Sequence, residues 1–169
     1  MAEGFDAVRA ALQDAYQLLS YRAWTVEEMR GRLKKKGHQA VLTTVIDRLK
    51  ELGLLDDEAF AQTYLEYAQQ SKPMGPKRLQ YELERRGIER SFAKHAIARF
   101  ITPEIERRLA ERAAREKMRK SAISSADLND AKVQRRLFSF LARRGFSYPI
   151  VRDLVVDLRA HGDQPTNAP

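Results

Sequence analysis

The sequence predicts an all-α protein made of three tandem three-helix repeats, helix-turn-helix-like units without a wing. Apolar residues recur at spacings of three and four along the 169-residue chain, as they do on one face of a helix. No segment shows the sustained alternation and β-branched enrichment of a strand. A short motif ending in glycine also occurs three times. Since small repeats stack on their neighbours, we expect an elongated or curved array.

The first repeat is predicted over residues 1–53, with a short N-terminal tail. Its second helix begins at a capping box, in which Thr25 accepts from a backbone N–H and Glu28 reaches back to the cap. Gly37 is predicted to end that helix and Gly53 to end the third. The apolar face of the first helix comprises Val8, Leu12, Ala15, Tyr16 and Leu19. That of the third comprises Val41, Leu42, Val45, Ile46, Leu49 and Leu52.

The second repeat is predicted over residues 54–101. Asp56 suits the N-cap of a helix that we expect to run to about Ser71. Gly75-Pro76 opens the next helix, with proline at its favoured first position, and Gly87 closes it. The third helix carries the apolar residues Phe92, Ala96, Ile97 and Phe100.

The third repeat is predicted over residues 102–161. Thr102-Pro103 begins a long charged helix, and a linker rich in serine and alanine follows at Ser121–Ala126. The next helix ends at Gly145 and leads to a final amphipathic helix. The apolar face of that helix contains Ile150, Val151, Leu154, Val155 and Leu158. We expect residues 162–169 to form a disordered tail.

The repeats share the motif Leu-x-[Lys/Arg]-[Lys/Arg]-Gly, which ends at Gly37, Gly87 and Gly145. The residues eight before, five after and nine after each glycine are also apolar. Agreement at these offsets, with separations of 50 and 58 residues between the glycines, indicates a true tandem repeat. The matched apolar residues are Met29, Leu79 and Leu137, then Leu42, Phe92 and Ile150, then Ile46, Ala96 and Leu154.

The chain is strongly basic, with 31 Lys and Arg against 23 Asp and Glu and a formal charge of +8. A polyanion is therefore an expected partner. Nucleic acid is favoured over a membrane, because no apolar run approaches the ~20 residues of a membrane span. Cysteine is absent, which removes disulfides and thiolate chemistry. The acidic N-terminus does not fit a signal peptide, so we expect a cytoplasmic protein.

No residue pattern indicates catalysis or metal binding. His38, His95 and His161 lie in different repeats without metal-like spacing. Gly75-Pro76-Lys77-Arg78 lacks the spacing of a phosphate-binding loop. Asp56-Asp57-Glu58 is explained by helix capping and the helix dipole. We therefore predict a binding protein that is not an enzyme and uses no metal or cofactor.

Basic side chains in the last turn of a helix are favoured by its free carbonyls, so their position alone does not indicate DNA binding. Their number is more informative. Residues 30–36 contain five basic residues and no acid, whereas residues 51–70 contain five acids and no Lys or Arg. The charge is thus segregated, and an acidic face could meet a protein. We predict contacts with a polyanion at Lys35, Lys36, Lys77, Arg78, Arg85, Arg86, Arg143 and Arg144.

The sequence resembles the RecX family, the bacterial regulators of the RecA recombinase. Its most specific stretch is Gly53-Leu54-Leu55-Asp56-Asp57-x-x-Phe60-Ala61. The middle repeat adds Glu82-Leu83 followed by Gly87-Ile88, and the third matches mainly through Arg143-Arg144-Gly145-Phe146. One departure is Tyr67–Lys72, where the family usually places arginine and this chain has none.

The resemblance implies a negative modulator of RecA that acts in DNA repair, homologous recombination and the SOS response. Such a protein lies in the groove of the RecA filament on single-stranded DNA and inhibits ATP hydrolysis and strand exchange. The implied partners are the filament and its DNA, with no membrane and a monomeric state, and DNA alone stays open as a ligand. One alternative is a stand-alone helix-turn-helix-like DNA-binding regulator. Another is a purely structural helical scaffold.

Overall fold

The computed structural model describes residues 2–161, with side chains from residue 4 to residue 160. Over this range the chain forms nine α-helices, two short 3-10 turns and no strand, which confirms the predicted all-α class. The predicted tail at 162–169 lies outside the described residues. The helices are α1 (Ala2–Leu19), α2 (Val26–Lys35), α3 (Leu42–Glu51), α4 (Asp57–Ser71), α5 (Pro76–Arg85), α6 (Arg90–Phe100), α7 (Pro103–Lys120), α8 (Ala131–Arg143) and α9 (Tyr148–His161).

The helices begin and end where the caps and glycines predict. The Thr25 hydroxyl oxygen accepts the N–H of Glu28 at 3.1 Å at the start of α2. Asp56 Oδ1 accepts the N–H groups of Glu58 and Ala59 at 2.8 and 3.0 Å at the start of α4. The three motif glycines have φ values of 91°, 85° and 85°, the left-handed conformation of residues that end a helix.

Two residues predicted to lie on buried helical faces are exposed, and a third, Val41, lies before α3 although it packs half-buried against the core. Tyr16 is 43% exposed, because the neighbouring Ala15 occupies the fully buried position of α1 and the next residue points about 100° away. Leu52 is 45% exposed, because it is the cap residue beyond the last turn of α3. Val41 belongs to a 3-10 turn that precedes α3.

The chain divides into two compact units. Unit 1 comprises the chain up to Tyr64 together with Leu83–Ala96, and in it α1, α2 and α3 pack against one another. The Trp24 indole is buried beside this core, and its Nε1 donates to the Leu18 carbonyl at 2.9 Å. The largest side chains of the core, at most 1% exposed, are Met29, Leu33, Val45, Ile46 and Leu49.

Unit 2 comprises Leu65–Glu82 and the chain from Ile97 onward. In it α7, α8 and α9 pack in pairs, and a 3-10 turn at Ala126–Asn129 follows the predicted linker. The second predicted repeat contributes residues to both units, and the three repeat boundaries stay predictions. Side chains at most 2% exposed include Leu128, Leu137, Leu141, Val151 and Leu154.

Candidate nucleic-acid interface

The basic pair that precedes each motif glycine places its two members in different surroundings. The first members, Lys35, Arg85 and Arg143, are exposed at the ends of α2, α5 and α8. The second member, which is the next residue around the helix, makes contacts within its own unit in every repeat. The motif thus combines an exposed first cation with a second cation that contacts another part of the same unit, although Lys36 is exposed as well.

In the first repeat, the second member is Lys36, which ties the end of α2 to α1. Its Nζ donates to Asp14 Oδ1 at 2.7 Å, and His38 Nε2 lies 2.7 Å from Asp14 Oδ2. The hydrogen bond with His38, followed by that with Lys36, lowers the pKa of the Asp14 carboxyl below its ordinary value. Lys36 is therefore engaged inside unit 1.

In the second repeat, the second member is Arg86. Its Nη1 donates to Glu28 Oε1 at 3.1 Å, and the other oxygen of Glu28 accepts from Arg22 at 2.7 Å. The guanidinium also lies 5.9 and 5.2 Å from the ring centroids of Phe60 and Tyr64. Both carboxylate oxygens of Glu28 therefore accept hydrogen bonds from arginines. The capping box predicted instead that Glu28 would accept from the backbone N–H at the start of α2. Arg86 has a carboxylate partner inside unit 1, which it shares with Arg22.

In the third repeat, the second member is Arg144, and no carboxylate meets it among the described residues. Its Nη1 donates to the Pro73 carbonyl at 3.1 Å, and the guanidinium lies 5.1 Å from the Phe140 ring centroid. The backbone holds this turn as well, since the Gly75 N–H donates to the Arg144 carbonyl at 2.9 Å. The positive charge of Arg144 is therefore kept without an anionic partner.

A single position of the repeat explains this difference. With the motif glycines in register, Glu28 of the first repeat corresponds to Arg78 of the second. In unit 1 this position supplies the carboxylate that pairs with Arg86. In unit 2 it supplies another cation, which pairs with Glu82 on the next turn of α5 at 2.5 Å. The surroundings of Arg144 in unit 2 are therefore more positive than those of Arg86 in unit 1.

Two cavities of unit 2 share Phe140 and Arg143 and are lined by cations. The larger, of about 700 Å³, lies between the end of α7 and α8, and the smaller has a volume of about 270 Å³. No Asp or Glu lines either cavity within the described part of the chain. We call their basic residues the unit 2 basic surface: Lys72, Arg78, Lys117, Lys132, Arg135, Arg136, Arg143 and Arg144.

The cations of the larger cavity are available to a ligand. Lys117, Lys132, Arg135, Arg136 and Arg143 form no ion pair with any side chain of residues 4–160. Three of these cations follow one face of α8 at spacings of four and seven residues, or about 6 and 10 Å along the helix axis. A row of unpaired cations with this separation suits successive phosphates of one strand.

Five members of the unit 2 basic surface were not predicted from the sequence. The spacing of Lys132 and Arg136 relative to Arg143 on one helix is a signal that the sequence contains. Lys117 is joined to them only by the packing of α7 against α8. Of the predicted contacts, Arg78, Arg143 and Arg144 lie on this surface, and Lys77 is exposed at the start of α5.

Two properties of the described residues bear on other functions. Within them, no helix has both the length and the hydropathy needed to cross a membrane. No three His, Asp or Glu side chains within the same residues lie close enough to hold a metal ion.

Family models match two segments of the chain. Residues 56–97 match the model of the second three-helix domain of RecX, and residues 105–155 match that of its third three-helix domain. The regulatory protein RecX of Mycolicibacterium smegmatis is 36% identical over 82% of this chain and 74% of its own length. That of Mycobacterium avium is 36% identical over 83% of this chain and 79% of its own length.

Solved structures show the same fold. The crystal structure of RecX from Lactobacillus salivarius superposes with a TM-score of 0.78 over 92% of this chain and 98% of its own, at 22% identity. A second crystal structure, of a regulatory protein RecX, gives a TM-score of 0.75 over 88% of this chain and 73% of its own, at 23% identity.

Proposed function

Because the chain belongs to the RecX family of regulatory proteins, we propose that it is a negative regulator of the RecA recombinase. It lies in the groove of the RecA filament on single-stranded DNA and inhibits ATP hydrolysis and strand exchange. It works as a monomer in the cytoplasm, by binding rather than by catalysing a reaction.

The observation that carries this proposal is the unit 2 basic surface. A filament groove exposes DNA phosphates, and a protein that enters it needs cations without internal partners. The larger cavity offers five such cations together with Phe140, and no acid lines it among the residues that the structure describes. Lys117 lies 5.8 Å and Arg144 lies 5.1 Å from the Phe140 ring centroid, so the ring holds cations on this surface.

Inhibition follows from several modest contacts acting together. Phosphate contacts are not specific to RecA, so contacts with RecA protomers must supply the selectivity. When one chain contacts both the DNA phosphates and the RecA protomers, the contact that forms first raises the effective concentration for the other. The two contacts together hold the filament in one state. A ligand that favours one state of the filament slows the cycle of ATP hydrolysis that requires both.

The test is a titration of the RecA ATPase on single-stranded DNA. We expect the wild-type protein to inhibit at substoichiometric amounts, and the double variant Lys132→Gln/Arg136→Gln to need at least about tenfold more protein. The matched control is Lys50→Gln/Lys94→Gln, which removes two exposed cations of unit 1. No inhibition by the wild-type protein over a wide range would refute the proposal. Sequence-selective binding of duplex DNA without RecA would favour the stand-alone DNA-binding regulator.

A further inference from the structure

A second cleft of unit 2 lies between the C-terminal end of α4 and the first half of α7. It has a volume of about 350 Å³ and is separate from the two cavities that contain Phe140. We call it the α4–α7 cleft. Its lining residues are Gln69, Gln70, Ile105, Arg108, Leu109 and Arg112.

Arg112 is half-buried and makes this cleft a candidate site, because two of its three guanidinium nitrogens are shielded from water and lack acceptors. Its Nε and Nη2 atoms are buried and donate to no oxygen among the described residues. A buried charged donor without an acceptor is unfavourable, and folded proteins rarely retain one without a reason. The Nε and Nη2 atoms lie on the same edge of the guanidinium, which is the edge that binds a carboxylate at two points.

The lining of the cleft adds a second cation and no anion within the described part of the chain. Arg108 precedes Arg112 by one helical turn, is exposed, and forms no ion pair with the side chains of residues 4–160. Three acids of the same helix bond elsewhere: Glu111 accepts from Arg115 at 2.9 Å, Glu104 bonds with Thr102, and Glu106 accepts from the Ser147 N–H. The fourth, Glu116, follows Arg112 by one turn but forms no ion pair with it and does not line the cleft. An anion in the cleft would therefore be supplied by a ligand.

We propose that the α4–α7 cleft binds a carboxylate from an acidic side chain of a protein partner. Two observations favour a carboxylate over a DNA phosphate. The cleft offers one guanidinium edge that can bind a carboxylate at two points. The cations of α8 instead form a row, which suits the repeated phosphates of a strand. Its apolar wall, formed by Ile105 and Leu109, suits an acidic residue that stands beside an apolar one on a protein surface. Because the Nε and Nη2 atoms are covered in the unbound chain, this binding requires the Arg112 side chain to rotate toward the cleft.

The first experiment tests the cleft itself, without RecA or DNA. The Nε–H signals of the arginines are followed by NMR while glutarate is added at constant ionic strength. We expect a saturable shift of the Arg112 signal, no comparable shift with sodium chloride, and a smaller one with inorganic phosphate. An Arg112 signal that does not move would overturn the proposal, and a stronger response to phosphate would overturn the choice of carboxylate.

The second experiment rests on the proposed function, since it uses the RecA filament as the protein partner. Arg112→Gln and Arg112→Lys are compared with Arg119→Gln, an exposed arginine near the end of α7. We expect both Arg112 variants to fold and to bind the filament about tenfold more weakly, because lysine keeps the charge but not the fork. Binding to a single-stranded oligonucleotide alone stays unchanged in all three.

The outcomes of the two experiments separate the two proposals. Equal filament affinity of the wild-type protein and Arg112→Gln would overturn the carboxylate site on the filament. If the wild-type protein fails to bind the filament at all, the proposed function fails, and the glutarate titration still decides whether the cleft takes a carboxylate. A parallel loss of oligonucleotide binding in Arg112→Gln would contradict the assignment to a protein partner.

Discussion

Arg86 and Arg144 occupy the same position of the repeat motif, yet Arg86 pairs with a carboxylate in unit 1 and Arg144 meets none among the described residues of unit 2. In unit 1 the residue opposite Arg86 is Glu28, and in unit 2 the corresponding residue is Arg78. One exchange of charge therefore turns a packing contact into part of a cationic surface. Identical motifs in a repeat protein can thus serve stability in one copy and binding in another.

The largest difference between the two units is expected in the loss of unfolding free energy when a motif glycine is replaced by alanine. A Cβ atom at Gly145 would collide with the backbone N of Arg78, whereas one at Gly37 would meet nothing within 4 Å. Both glycines have positive φ, which costs an alanine about 1–2 kcal/mol. We expect Gly37→Ala to lose about that much unfolding free energy, and Gly145→Ala roughly 3–5 kcal/mol. Urea unfolding measures both, and equal losses would contradict the close packing of the Gly145 turn.

Reversing the charge at Glu28 tests its ion pair with Arg86 directly. Glu28→Arg leaves Arg22 and Arg86 without their carboxylate and adds a third cation, so we expect unit 1 to lose about 3 kcal/mol of unfolding free energy. The control is Glu51→Arg, which breaks an exposed ion pair with Arg48 and should cost less than about 1 kcal/mol. Similar losses in both variants would mean that Arg86 is not held by Glu28.

The converse change introduces a carboxylate into unit 2. Arg78→Glu places an anion at the position that corresponds to Glu28, where it can meet Arg144. We expect the unfolding free energy to change by no more than about 1 kcal/mol, because the pair is partly exposed and the bond to Glu82 is lost. Affinity for the RecA filament should fall about tenfold, as measured by fluorescence anisotropy. Unchanged affinity would exclude this position from the binding surface.

The smallest expected effect concerns Asp14, the carboxylate that holds Lys36. Its pKa is lowered by His38 and then by Lys36, so the folded state binds the Asp14 proton more weakly than the unfolded state does. The resulting stability is present above the ordinary pKa of 3.8 and is lost as the pH falls through the lower, folded value. Asp14→Asn should therefore lower the melting temperature at neutral pH and have less effect in acid. A constant difference across the pH range would contradict this assignment.

The sequence predicts the helices well because their limits are local. The side chains of Thr25 and Asp56 cap the helices that begin directly after them, and glycine ends a helix where the next φ must be positive. The candidate site was predicted only in part. That Arg86 has a carboxylate partner depends on Glu28, which lies 58 residues away, and the contribution of Lys117 depends on the packing of α7 against α8. Neither fact is encoded in the spacing of residues along one helix.

The most direct test of binding through unit 2 is the salt dependence of binding to the RecA filament on single-stranded DNA. The triple variant Lys132→Gln/Arg136→Gln/Arg143→Gln removes three unpaired cations, and Lys34→Gln/Lys50→Gln/Lys94→Gln removes three exposed cations of unit 1 that are not among the predicted contacts. We predict that the slope of log affinity against log salt becomes shallower by about 2 in the first variant and stays at the wild-type value in the second. A wild-type slope in the first variant and a shallower one in the second would contradict the assignment of DNA contact to unit 2.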